Sequence, residues 1–266
     1  MNIYIIALNL IFSFSNCQKD KLIISLTSNL KGIKNVEKVI NSILNQNVHY
    51  SLYKIILFLS KNEFNNNNAI PSELLSLKKS KKIRVFLINE NFTSQSRLLL
   101  AMKTYPNNPI LIISDNIIFP YGWLEMFLKD HKKYKNSAIS ASLQYFFGKN
   151  LEIKEFAEGY KGEKFGKFNQ VTDMIFNFEI INTDLGGTLY PPYFFKNNTF
   201  YDSKLFLDIT KDSDEFWQSC FIMIENKILR QSSKIYDYTK YIINDNNYNI
   251  NYKKKKEYLK MESHHL

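Results

Sequence analysis

Short apolar runs alternate with amphipathic stretches along the first half of the chain. Leu22 to Leu26 is continuously apolar except for Ser25 and ends in Thr27-Ser28-Asn29. This predicts a buried strand followed by a loop. From Asn35 to Leu44 the apolar residues are Val36, Val39, Ile40, Ile43 and Leu44. They recur at the spacing of one helix face, so this stretch predicts an amphipathic helix, with Asn35 as its N-cap. The alternation continues. Tyr53 to Leu59, Ile83 to Ile88, Pro109 to Ile113 and Ala138 to Leu143 predict strands. Pro71 to Lys79, Ser94 to Lys103, Trp123 to Tyr134 and Asp214 to Asn226 predict helices. Strands alternating with helices of this length specify βαβ units, hence an α/β fold with a mostly parallel sheet flanked by helices. Between Gly148 and Asn169 the periodicity is lost, as expected for a loop or lid.

The ends read differently. Ile3 to Phe14 is apolar apart from Asn9 and Ser13. It is too short to span a bilayer comfortably, yet fits the core of a signal peptide, with Ser13 to Cys17 as a cleavage region. No Lys or Arg precedes it, and a buried strand or short helix fits as well. The expected organisation is therefore an apolar segment over 1–20, one domain over 21–240, and a peripheral Asn-, Tyr- and Lys-rich tail over 241–266.

Composition changes this picture little. In 266 residues, 45% hydrophobic and 15% aromatic content excludes global disorder. The net charge of +10 suits a phosphate-bearing ligand or an anionic membrane surface. Scattered solvated lysines are the plain alternative, including Lys253 to Lys256 in the tail. No nucleic-acid-binding motif accompanies the charge, so no nucleic-acid partner is expected. Cys17 and Cys220 form no C-x-x-C, and the four histidines have no ligand spacing, which argues against a zinc site. The sequons Asn91-Phe92-Thr93 and Asn197-Asn198-Thr199 matter only if the chain is exported.

Three segments carry candidate chemistry. In open parallel sheets, ligands bind at the carboxyl ends of the strands. Here those ends are Thr27-Ser28, Ser60 and Ser114-Asp115-Asn116. A carboxylate directly after a buried strand can hold a divalent cation that neutralises a diphosphate leaving group, or it can simply cap a turn before Pro120. Asp184 to Pro192 contains Gly186-Gly187, which lets a ligand approach the backbone closely or merely makes a tight loop. Asp212, Asp214 and Glu215 precede Trp217 at the start of a helix. Acids there suit the helix dipole, and one of them can also take the proton of an attacking hydroxyl.

In order and spacing these segments resemble the small bacterial GT-A glycosyltransferases of capsule and lipopolysaccharide synthesis. Ser25-Leu26-Thr27-Ser28 with Lys31, then Leu59-Ser60 with Glu63-Phe64, match the family's first two strand ends. Ser114-Asp115-Asn116 matches its triple-Asp motif, and Phe119-Pro120 with Trp123-Leu124-Glu125 matches the aromatic, the Pro and the Trp-Leu-Glu beyond that motif. Gly186 to Pro192 match a Gly-Gly-x-Leu-Tyr-Pro-Pro loop, and Ser213 to Trp217 match Ala-Asp-Asp-x-Trp. The resemblance covers Lys21 to Ser233.

It implies a GT-A (nucleotide-diphospho-sugar transferase, Rossmann-like) fold. It also implies single displacement of a sugar from a nucleotide-diphosphate donor to a saccharide or lipid-linked acceptor. Thr27, Ser28, Ser60 and Ser114 would line the donor pocket, and Arg97 would meet the diphosphate. Gly186 and Gly187 would pack by the donor sugar. Asp115 and Asn116 would lie at the corner for manganese or magnesium, and Asp214, then Glu215, would serve as the base. Such an enzyme works in the cytoplasm or at the inner membrane face, whereas the apolar start points to the secretory pathway. Two of the motif's three acids are replaced, by Ser114 and Asn116, and Asn offers a metal only an uncharged oxygen. A non-catalytic nucleotide- or glycan-binding relative and an exported surface-binding protein are the alternatives.

Overall fold

The computed structural model describes residues 21–65, 69–88, 94–147, 152–155, 180–182, 185–210 and 213–243. The apolar start, the sequon at Asn91, the stretch from 156 to 169, Asp184, Asp212 and the tail from 244 onward lie outside them.

β1 (Leu22–Ser28), α1 (Ile33–Leu44), β2 (Tyr53–Ser60), α2 (Ser72–Lys79) and β3 (Ile83–Ile88) follow each other as the pattern predicts. Next come α3 (Ser96–Thr104), β4 (Ile110–Ile112), α4 (Trp123–Lys133) and β5 (Ala138–Ser140). β6 (Leu143–Phe147), β7 (Glu152–Glu155) and β8 (Ile180–Asn182) form a separate antiparallel sheet in the order β7-β6-β8. β9 (Thr188–Tyr190), α5 (Ser203–Thr210), α6 (Asp214–Ile224) and β10 (Leu229–Gln231) complete the domain.

The main sheet has seven strands in the order β10-β5-β9-β4-β1-β2-β3. β1 pairs in parallel with both β2 and β4, β2 with β3, and β10 with β5. Only β9 is antiparallel, inserted between β4 and β5. The central strands are apolar on both faces because both faces are covered. Leu22, Ile24 and Leu26 of β1 pack in one core with Val36, Val39, Ile40 and Ile43 of α1, Leu74 of α2 and Trp123 of α4. Ile23 of β1, with Ile56 and Phe58 of β2, faces the opposite core, built with Leu98 of α3, Phe206 of α5 and Trp217 and Phe221 of α6. Alternation along the strands thus distributes the apolar residues into a three-layer αβα sandwich.

β7 is a strand inside the stretch expected to be a loop, and it forms by pairing with β6. Three boundaries also differ from the sequence pattern. α1 starts at Ile33 with Gly32 in the cap position, so Asn35 lies buried inside the first turn instead of capping it. No side chain caps the helix start; the turn before it is held by Asn29, whose Oδ1 accepts from the N–H groups of Lys31 and Gly32. The run from Ala138 to Leu143 is two strands. Ser140 Oγ donates to the carbonyl of Ser142 at 2.7 Å and turns the chain there. Beyond residue 240 the chain is not peripheral at first. Ile242 bridges Ile117, and Ile243 N–H donates to Asn116 O at 2.7 Å.

Candidate functional site

The strand order fixes where a ligand can sit. After β1 the chain winds outward through β2 and β3, then returns to the other side of β1 as β4. The loops leaving β1 and β4 therefore diverge to opposite sides, and a crevice opens between their carboxyl ends. Thr27 and Ser28 end β1, Ser60 ends β2 beside it, and Ser114-Asp115-Asn116 follows β4. Five residues that the sequence singles out, from strands far apart in the chain, thus border one crevice with Asn116.

Across that crevice Ser28 Oγ donates to Asp115 Oδ2 at 2.5 Å. The same carboxylate oxygen lies directly against Gly32. A Cβ there would collide with it and would stand 2.9 Å from Ser28 Oγ. Gly32 is thus a site residue that the motif comparison passes over. Its signal is a glycine at a helix start, beside the strand end that meets the acid. The loop around it is braced from the turn after β2, because Leu30 N–H donates to Glu63 Oε2 at 3.0 Å. Burial pushes the Asp115 carboxyl above its ordinary value, and the Ser28 hydrogen bond and the positive charge of Arg97 pull it back in part.

Arg97 sits in the first turn of α3, beneath the crevice, and is 4% exposed. Ser25 Oγ of β1 donates to its carbonyl at 2.5 Å, fixing the helix start to the central strand. Its Nη1 donates to Ile113 O at the end of β4 at 3.0 Å, and Nη2 to Asp214 Oδ2 at 2.7 Å. The resemblance implied a diphosphate contact for Arg97; in the structure its side chain is buried and paired with Asp214.

Asp214 opens α6 and is 1% exposed. Its Oδ1 has no hydrogen-bond partner among the described residues. Glu215, buried next to it, sits in the same helix turn. Arg97 thus holds its positive charge between the Asp115 side of the crevice and the start of α6.

Gly186 and Gly187 have φ of +82° and +93°. A Cβ on Gly187 would stand 2.8 Å from the carbonyl oxygen of Ile112, and one on Gly186 would enter the ring of Tyr238. Trp123 Nε1 donates to Gly186 O at 2.7 Å. Packing of β9 against β4 and of Tyr238 and Trp123 against the loop accounts for both glycines.

The donor set for a cation is lean. Asn116 Oδ1 accepts from Ser114 Oγ at 2.6 Å, and Asp115 is the one carboxylate of the three-residue motif. Among the described residues no three His, Cys, Asp or Glu side chains cluster to hold a metal. These residues fit a hard divalent cation only where a diphosphate and water complete its oxygen shell.

No family model matches this sequence, and no curated protein matches it. In three dimensions it is similar to S. aureus TarS 1-349, with a TM-score of 0.54 at 12% identity, covering 81% of this chain and 59% of that one. TarS 1-349 in complex with UDP gives a TM-score of 0.52, again at 12% identity over 81% of this chain and 59% of that one. The complex of TarS 1-349 with UDP-GlcNAc gives 0.51 at the same identity and the same two coverages. This chain thus spans less than two thirds of the length of the TarS chain it matches. The fold is GT-A-like, an α/β arrangement with a mostly parallel sheet between helices, as the motif order implied.

Proposed function

We propose that the chain is a glycosyltransferase that moves a sugar from a nucleoside-diphosphate donor to a hydroxyl of a saccharide or lipid-linked acceptor, with inversion. The observation that carries this reading is the meeting of Ser28 with Asp115, and of Arg97 with Asp214, at the switch point of a GT-A-like sheet. The TarS structures with UDP and with UDP-GlcNAc support a nucleotide-sugar as the ligand of this fold.

In this reading Thr27, Ser28 and Ser60 border the nucleotide, Ser114 lies beside it, and Asp115 stands at its diphosphate. A manganese or magnesium ion held by Asp115 and the diphosphate would neutralise the leaving group's charge. Asn116 serves as a neutral partner in that corner. Gly186 and Gly187 lie on the sugar side and shape it through the backbone. Asp214 is the base. Arg97 holds its Oδ2, which leaves Oδ1 to accept the acceptor's proton as the hydroxyl attacks the anomeric carbon. Glu215 is the second candidate.

One observation favours a second reading, a relative that binds a nucleotide or glycan without turnover. The Ser114–Asn116 hydrogen bond occupies the positions where the family's pattern has acids. The two readings separate on nucleotide release from UDP- and GDP-sugars by the purified chain, with and without saccharide acceptors. The enzyme releases nucleoside diphosphate above the no-protein rate, and Asp214→Asn abolishes that release while nucleotide still binds. Binding without release by the wild-type chain supports the second reading.

A further inference from the structure

The pole of the sheet opposite the crevice carries a second, unassigned surface. Here β1, β2 and β3 begin, and their first residues are Lys21 before β1, Lys54 on β2 and Lys81, Lys82 and Arg84 at β3. Lys78 and Lys79 in the last turn of α2 extend it. From Leu74 to Ile88 the chain carries five cations and no acid. None of these seven cations makes an ion pair with an acid among the described residues.

The cations form one connected surface with aromatic and aliphatic side chains. Lys82 Nζ stands 5.2 Å from the ring centre of Tyr50, and Lys54 Nζ 5.6 Å from that of Tyr105. Arg84 Nη1 donates to the Tyr105 hydroxyl at 3.0 Å. Tyr50 is 63% exposed and Leu52 50%. Crowding of like charge is felt at Lys54. Burial lowers its ammonium pKa first, and Arg84 and Lys21 lower it further.

The chain enters the domain at the β1 edge of this surface. The apolar run Ile3 to Phe14 is joined to β1 through Lys21. We infer that this basic pole docks on an anionic lipid surface, with Tyr50 and Leu52 at the headgroup level and Lys81, Lys82 and Arg84 on the lipid charges. A run of this length is short for a bilayer span, and a single apolar anchor binds reversibly, whereas an anchor with a basic patch holds stably. Leu52 beside Tyr50 offers lipid an aliphatic contact, while a nucleic acid would be better served by a row of stacking rings. β1 runs from Leu22, next to Lys21 at this pole, to Ser28 at the crevice, a distance of roughly 20 Å. The docked protein therefore turns its crevice away from the bilayer.

Sedimentation of the full-length chain with vesicles tests this, using phosphatidylcholine alone or with added phosphatidylglycerol. The chain is expected to pellet with the anionic vesicles and to be released as salt rises, because surface-charge attraction decays over a Debye length. The triple variant Lys81→Glu, Lys82→Glu, Arg84→Glu should bind more weakly by about tenfold or more, with an unchanged melting midpoint. Replacing Lys253 to Lys256 with Ser, as a comparator, should leave binding in place. Equal pelleting with neutral vesicles, full binding by the triple variant, or loss only in the tail variant each overturns the inference. Displacement from vesicles by a polyuridine competitor, lost in the triple variant, assigns the surface to nucleic acid instead.

Discussion

Arg97 and Asp214 form a 2.7 Å ion pair buried at both ends, although 117 positions separate them in the chain. Arg97 also grips Ile113 O, so one guanidinium ties the end of β4 to the start of α6. The two helices that carry the pair, α3 and α6, cover the same face of the sheet. The pair therefore sets the distance between the crevice and the helix that brings the candidate base.

Breaking this pair from one side should be costly. Arg97→Met leaves Asp214 as an uncompensated buried charge, and about 3–5 kcal/mol of stability should be lost. The double variant Arg97→Met, Asp214→Leu should recover much of that loss, because both charges are gone. Urea denaturation of the two single variants and the double variant gives the coupling. Additive losses would show that the two side chains do not depend on each other.

Asp115→Asn should have the opposite sign. The Asp115 carboxyl titrates above its ordinary 3.8 in the folded protein, chiefly through burial. A raised carboxyl favours the fold below the unfolded pKa, and that advantage is lost as pH rises through the folded pKa. At neutral pH the buried charge is therefore a cost, and the neutral amide removes it. Melting midpoints measured from pH 4 to pH 7 should show the variant gaining on the wild type as pH rises. A variant that falls progressively behind the wild type over that range would mean that Arg97 and Ser28 outweigh burial.

Tyr238 gives a cleaner test of packing. It is 1% exposed, its hydroxyl has no hydrogen-bond partner among the described residues, and burial pushes its phenol pKa far up. Tyr238→Phe removes a desolvated hydroxyl and should leave stability equal or raise it by about 1 kcal/mol. A loss of stability in chemical denaturation would reveal a partner for that hydroxyl.

Gly187→Ala should destabilise by about 1–3 kcal/mol, since φ of +93° is strained for any side chain. The new methyl would also press on the backbone carbonyl of Ile112, which cannot move without disturbing β4. Gly122→Ala shares the strain at φ +81°, but the nearest atom is 3.4 Å away on the tip of Tyr236, so it should cost less. Thermal melts of the two variants rank them, and the reverse order would contradict the packing account.

The sequence made the central fold legible because β1, β2 and β4 are buried on both faces and so read as continuous apolar runs. α1 was equally plain, with Val36, Val39, Ile40 and Ile43 all at 0% exposure on one face. β9 was not legible. Its three residues lie between two glycines and two prolines, and only its neighbours β4 and β5 make Thr188 to Tyr190 a strand. The polar strand ends could be found because α/β sheets bind ligands there. The Arg97–Asp214 pair could not, because sequence spacing carries no information on which side chains meet across a layer. Nor could the return of Ile242 and Ile243 to Ile117 and Asn116, where the local sequence resembles a tail.

The central claim is a nucleoside-diphosphate site between the ends of β1 and β4. Thermal unfolding of the purified chain with UDP or GDP, each with and without manganese, tests it most directly. A ligand that binds only the folded state raises its stability by RT ln(1 + [L]/Kd). One nucleotide should raise the midpoint, more so with manganese, because Asp115 and the diphosphate would share the cation. An unchanged midpoint with both nucleotides, with and without the metal, would contradict the account and leave Asp115 as a buried carboxylate that serves only the turn after β4.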